Sequence, residues 1–196
     1  MSVAHVEEPR GHTGPWTIAD VEALPEPLDG TRYEILTPGV LTMSPAPATL
    51  HQRVSMKLSM LLIEAAGDRD VEVLTTLNLE IPAERLCIPD VLVVDGAVAD
   101  TDPVRWTGKD IHAVVEIVSP SSRPHDRIIK PQLYAEAEIP TYWRFETEKT
   151  PQLIVFELRR GRYARVATVR AGEPAEVPIP YPVTVDPAEV VRRRHL

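Results

Sequence analysis

The chain has 196 residues, 43% of them hydrophobic, enough to bury one substantial core in one domain. No run approaches the roughly 20 apolar residues of a membrane span, and the opening MSVAHVEEPRGHTGPW lacks the apolar core of a signal peptide. The formal net charge of −8 opposes broad attraction to a polyanion, which must meet a local basic patch instead, and the single cysteine, Cys87, excludes an internal disulfide or a multi-cysteine zinc site. Cys87 reads as a small buried apolar residue, and the whole as a soluble cytoplasmic protein.

Residues 1–15 are polar and contain Pro and Gly, so they read as a flexible tail before a single domain over 16–170; residues 171–196 read as a Pro-rich C-terminal extension. Thr17-Ile18-Ala19-Asp20 opens a short helix that Pro25 and Pro27 close. Residues 32–36 and 40–44 flank Pro38-Gly39, a pair suited to the centre of a type II turn, which predicts a hairpin with Arg32, Glu34 and Leu36 on one face. Over 49–66, Leu50, Val54, Leu58, Leu61, Leu62 and Ala65 follow helical spacing, and Met56, Met60 and Ile63 widen the stripe. A largely buried helix is expected, started by Thr49 and Gln52 at capping-box spacing and stopped at Gly67.

Strands are predicted at 71–74, 77–81 and 88–95. The last carries the apolar run Val91-Leu92-Val93-Val94, as befits a strand covered on both faces, and a second of this kind spans 111–118. A helix over 127–137, a strand over 141–145 and a hairpin of 152–158 with 163–169 around Arg160-Gly161 follow. The segment 174–187 reads as a connecting tail ending in a short helix before Arg192-Arg193-Arg194.

The polar residues that stand out sit at the ends of the most buried strands, because an ionised carboxylate there costs several kcal/mol unless a cation or donor meets it. Asp90 begins one strand and Glu116 lies near the end of another. Two carboxylates on adjacent strands suit a hard divalent cation such as Mg²⁺, or Mn²⁺, to which the Ile117 backbone carbonyl could add a ligand. The plainer reading makes Asp90 a turn cap after Pro89 and pairs Glu116 with an arginine. Asp126, Lys130 and Tyr134 recur at four-residue intervals and would present acid, amine and phenol on one helix face; an exposed Asp126–Lys130 ion pair with Tyr134 in the core is the alternative. Proline disfavours a helical residue before it, so Lys130, ahead of Pro131, is expected at a helix start or kink.

With those residues in view, the stretch 17–158 resembles the Uma2-like proteins of the PD-(D/E)XK, or restriction-endonuclease-like, superfamily. The resemblance rests on Tyr33-Glu34, Met43-Ser44-Pro45, His51, Pro89-Asp90-Val91, Val115-Glu116-Ile117-Val118-Ser119-Pro120-Ser121, then Asp126, Lys130, Tyr134 and Ile139-Pro140-Thr141-Tyr142-Trp143. It implies an α/β fold with a core of helix, three strands, helix and strand around a mixed central sheet, to which the 152–169 hairpin is added. It also implies Mg²⁺-dependent hydrolysis of a nucleic-acid phosphodiester, with DNA as the expected substrate and Asp90 and Glu116 as the metal-binding acids. The wider superfamily places its lysine two residues after the second acid, where this chain has Val118; the Uma2-like pattern supplies it from the following helix, at Lys130. Glu34 matches an acid that precedes the core motif and could orient a water or help hold a second cation, or stand solvated on its hairpin.

His51 could line the cleft or serve as a packing or capping residue. Ser119 and Ser121 are expected to fix the turn by side-chain bonds to the backbone. Tyr142 and Trp143 are expected in the core. Beside the nuclease stand two further readings, a catalytically inactive nucleic-acid-binding or regulatory protein of the same fold, and a structural homodimer joined through the 152–169 hairpin.

Overall fold

The computed structural model describes residues 11–25, 27–120 and 122–193. Of the features read from sequence, residues 1–10 of the tail, Ser121 and Arg194 lie outside the described residues. In chain order the elements are helix α1 (Ile18–Glu22), strands β1 (Arg32–Thr37) and β2 (Val40–Ser44), helix α2 (Thr49–Ala66), and strands β3 (Val71–Leu74), β4 (Leu79–Ile81), β5 (Arg85–Cys87) and β6 (Val91–Asp95). The short helix α3 (Gly96–Ala99), β7 (Trp106–Thr107) and β8 (Ile111–Val118) come next, then a π-helical turn (His125–Ile129) that runs into α4 (Lys130–Glu136). Strands β9 (Thr141–Glu146), β10 (Gln152–Arg159), β11 (Arg162–Arg170), β12 (Ala175–Val177) and β13 (Val183–Val185) and helix α5 (Pro187–Val191) complete the chain.

The predicted helix, three strands, helix and strand are α2, β3, β6, β8, α4 and β9. Their strands form the middle and one edge of a six-stranded mixed sheet of order β11-β10-β9-β8-β6-β3, which the β10–β11 hairpin extends. Within this sheet only β8 and β9 of the described strands pair in parallel, and α4 belongs to the crossover that such a pair requires. Side chains alternate across the central strands. Val91 and Val93 of β6 and Val115 and Ile117 of β8 pack with Val54, Leu58 and Leu62 of α2. Leu92, Val94 and Val114 face Leu133 and Tyr134 of α4. That second face also meets a smaller sheet of order β2-β1-β5-β4-β7, and Cys87 is fully buried within it.

The β1–β2 hairpin turns at Gly39, whose φ of 76° suits the glycine position of a type II turn. Gly108 is required for another reason. A Cβ there would stand 1.9 Å from the Ala137 carbonyl oxygen, so only glycine lets this turn meet the end of α4.

Several expectations change. The N-cap of α2 is Ala48, without a side-chain cap bond, so Thr49 and Gln52 form no capping box. Met56, Met60 and Ile63 are more than half exposed, which confines the buried stripe of α2 to Val54, Leu58, Leu62 and Ala66 with Ser55 and Ser59 between them. Ser59 satisfies its hydroxyl within the helix, donating to the Ser55 carbonyl at 2.9 Å. The strand expected over 88–95 begins only at Val91; β4 starts at Leu79, and β5, absent from the sequence reading, follows left-handed residues Ala83 and Glu84. The 174–187 segment is more than a connector. β12 pairs with β13, and Val177, Tyr181, Val183 and Val185 join the core beside α2, with Tyr181 donating to the Leu62 carbonyl at 2.8 Å.

Candidate active site

The antiparallel register Val91↔Val115 sets Asp90 opposite Glu116, and side chains opposite one another on paired strands share a face. Here that face looks toward α4. Both acids are almost wholly buried, and both line a cleft of about 380 Å³ closed on one side by the β1–β2 hairpin and the first turn of α2.

Asp90 is met from three directions. Its Oδ1 accepts Arg32 Nη1 at 2.9 Å, and its Oδ2 accepts the Ile117 backbone N–H at 2.8 Å and stands 3.0 Å from His51 Nε2. Burial alone would raise its pKa, but the His51 hydrogen bond and charge, with Arg32 and Lys130, hold the carboxyl well below the usual range. Asp90 therefore pairs with an arginine instead of capping a turn.

Glu116 has the opposite balance. Its Oε1 accepts Lys130 Nζ at 3.0 Å and the Tyr134 hydroxyl, while Oε2 takes no hydrogen bond from any described residue. Burial pushes its pKa well up, Lys130 offsets part of that, and the charges of Asp90 and Asp126 add to it. Lys130 is opposed by burial too, yet Glu116, Glu34 and Asp126 hold the ammonium form far above its ordinary range.

Glu34 is not solvated. It is buried on β1, where Oε1 accepts the Ile88 N–H at 2.8 Å and lies 3.0 Å from Lys130 Nζ. Lys130 thus ties an acid of the small sheet to an acid of the large one.

Asp126 and Lys130 are both buried, not an exposed pair. The Lys130 N–H bonds to the His125 carbonyl, five residues back, in the π turn that precedes Pro131. Such widened turns are frequent at functional sites. Lys130 thus stands at a junction in the helix, as Pro131 led us to expect, and Tyr134 reaches Glu116 from one turn further on. Asp126 is pushed up to about 6, first by burial, with Lys130 and Ser122 offsetting it and Asp90 and Glu34 reinforcing it.

The structure thus brings Asp90, Glu116, Lys130 and Glu34 together, and Ile117 lines the same cleft through the strand that donates to Asp90. Val118 is fully buried, its carbonyl accepting the Thr147 hydroxyl. His51 is in the site, not merely packed. Arg32, singled out only for its place on the hairpin face, is the main omission; its shared face with Glu34 two residues on was the available signal. Ser119 bonds with Ser122 across their turn. Tyr142 and Trp143 are core residues, the first donating to the Asp126 carbonyl at 2.6 Å and so bracing the π turn.

Comparison with known proteins bears on the fold and the family. A crystal structure described as that of a "putative nuclease belonging to DUF820" from Anabaena variabilis ATCC 29413 superposes with a TM-score of 0.66 at 16% identity, over 85% of this chain and 90% of that one. The shared fold is the restriction-endonuclease-like one. No curated protein matches the chain. The model of the Uma2 family, described as "Putative restriction endonuclease", matches residues 18–186, from α1 past β13, and the chain belongs to that family.

Proposed function

We propose that the protein is a divalent-cation-dependent endonuclease acting on DNA, with Asp90 and Glu116 as the cation ligands. The observation that carries this reading is the gathering of acids in the cleft. Four buried carboxyl groups, those of Glu34, Asp90, Glu116 and Asp126, line it together with Arg32, His51 and Lys130, and burial raises the pKa of Glu116 and of Asp126 in spite of those neighbours. A bound Mg²⁺ or Mn²⁺ would favour the ionised form of Glu116.

The donor set fits a cation that keeps most of its waters. Among the described residues no group of three or more His, Cys, Asp and Glu side chains forms a metal cage. Magnesium commonly takes only one or two carboxylates, with water and substrate phosphate as the remaining ligands. Asp90 and Glu116 supply two carboxylates on one face, and Glu116 Oε2 has no competing hydrogen bond from the described residues. The Ile117 carbonyl is a further candidate ligand. When bound, the cation supplies Lewis acidity toward the phosphodiester.

The chain's own residues do the rest. Glu34 and Glu116 fix the Lys130 ammonium, which keeps its proton and brings positive charge to the charge developing on the phosphoryl oxygens. Ile117, His51 and Arg32 keep Asp90 in place and ionised, so that it would hold the cation and transfers no proton. The neutral Tyr134 hydroxyl fixes Glu116 from behind, since burial and the neighbouring acid push its pKa well up.

A second reading, a non-catalytic nucleic-acid-binding protein of the same fold, draws on one observation: both oxygens of Asp90 are already engaged by protein donors. Calorimetric titration with Mg²⁺ and Mn²⁺, paired with cleavage assays on single- and double-stranded DNA and RNA with and without EDTA, separates the two. The nuclease binds cation and cuts DNA only without EDTA. A protein that binds neither ion and cuts nothing, yet binds nucleic acid in a gel-shift assay, has the second function.

A further inference from the structure

The two permanent cations of the cleft are committed to different degrees. Lys130 Nζ sits between Glu34 and Glu116, 3.0 Å from each, with its side chain 7% exposed. Arg32 is held through one nitrogen only, Nη1 on Asp90 Oδ1, its side chain is 19% exposed, and its Nε is buried with no hydrogen-bond partner among the described residues. An unmet buried donor costs free energy. The planar fork of a guanidinium matches two phosphate oxygens at once, so a phosphodiester in this cleft would satisfy it.

Asp90 gives the same group a second consequence. The Ile117 N–H that holds Oδ2 belongs to the central strand β8, whereas the guanidinium on Oδ1 ends a long side chain on β1. A divalent cation approaching Asp90 therefore competes first with Arg32.

We propose that Arg32 is the residue that receives the substrate's phosphodiester, and that its ion pair with Asp90 couples nucleic-acid binding to cation binding. This rests on the reading of Asp90 as a cation ligand. A phosphate that draws Arg32 away frees Oδ1 for the cation, and a cation on Asp90 turns Arg32 toward the phosphate. Each ligand tightens the other by the same factor, as linkage requires.

The test is calorimetric titration of the full chain with calcium, alone and with a short DNA duplex of non-hydrolysable linkages. In the unaltered protein the duplex should tighten calcium binding about tenfold. Arg32→Gln should bind calcium alone at least as tightly as the unaltered protein, lose the tightening, and bind the duplex about tenfold more weakly. Arg32→Lys keeps the charge opposite Asp90, and with it the fold, but lacks the fork, so it should also bind the duplex more weakly. Cooperative melting of both variants establishes that they are folded. Unchanged duplex affinity and coupling in both variants would overturn the role of Arg32, as would calcium binding that the duplex leaves unaltered. If the unaltered protein binds no calcium in either state, the cation reading fails and this inference with it.

Discussion

Lys130 and Glu116 meet at 3.0 Å inside the protein, the amine from the first residue of α4 and the carboxylate from the central strand β8. Each is nearly inaccessible to solvent. Neither would be tolerated there alone, because an unpaired buried charge is strongly destabilising.

Lys130→Met should therefore leave Glu34 and Glu116 without their shared cation. A loss of about 3 to 5 kcal/mol of stability at neutral pH is expected, read by urea denaturation. Lys130→Met as stable as the unaltered protein would mean that the ammonium is not what holds the two acids.

Asp126 gives the stability a pH dependence of known sign. Its folded value of about 6 lies above the ordinary 3.8, so the native state favours the neutral form. The resulting penalty is absent below 3.8, grows between 3.8 and 6, and is complete above 6. Asp126→Asn should be more stable than the unaltered protein above pH 6, by up to about 3 kcal/mol. The gap should close as the pH falls to 3.8. Denaturation curves of both proteins across that range provide the comparison, and a constant gap would disprove the shift.

Gly108→Ala places a methyl carbon 1.9 Å from the Ala137 carbonyl oxygen, a backbone atom that cannot rotate away. The turn must shift from the end of α4, and a cost of about 3 kcal/mol is expected. Thermal melting measures it. An unchanged midpoint would show that the turn and α4 are free to separate.

What the sequence discloses about this protein follows the range of the interactions. Asp90 and Glu116 could be found because the first opens an apolar run and the second interrupts another, and the burial of such runs makes a carboxylate conspicuous. The π turn was half legible: Pro131 announced an irregularity at Lys130 but not its form. Arg32 and His51 reach Asp90 across 58 and 39 residues, and contacts of that span leave no local pattern that names the partner; the face Arg32 shares with Glu34 was the one local sign. Strand β5 is three residues long, too short for period-two alternation to register. Met56, Met60 and Ile63 misled because helical spacing shows that residues share a face, while only the packed sheet decides how wide that face is.

The central claim is that Asp90 and Glu116 together hold the cation that drives cleavage, and it is tested most directly by cutting a DNA duplex in Mg²⁺ with Asp90→Asn and Glu116→Gln. Both replacements keep side-chain size, and the amide oxygen introduced by Glu116→Gln can still accept from Lys130 and Tyr134. Circular dichroism should find both variants folded, with Mg²⁺-dependent cleavage reduced about a hundredfold or more. Cleavage by both folded variants at the rate of the unaltered protein would contradict the account.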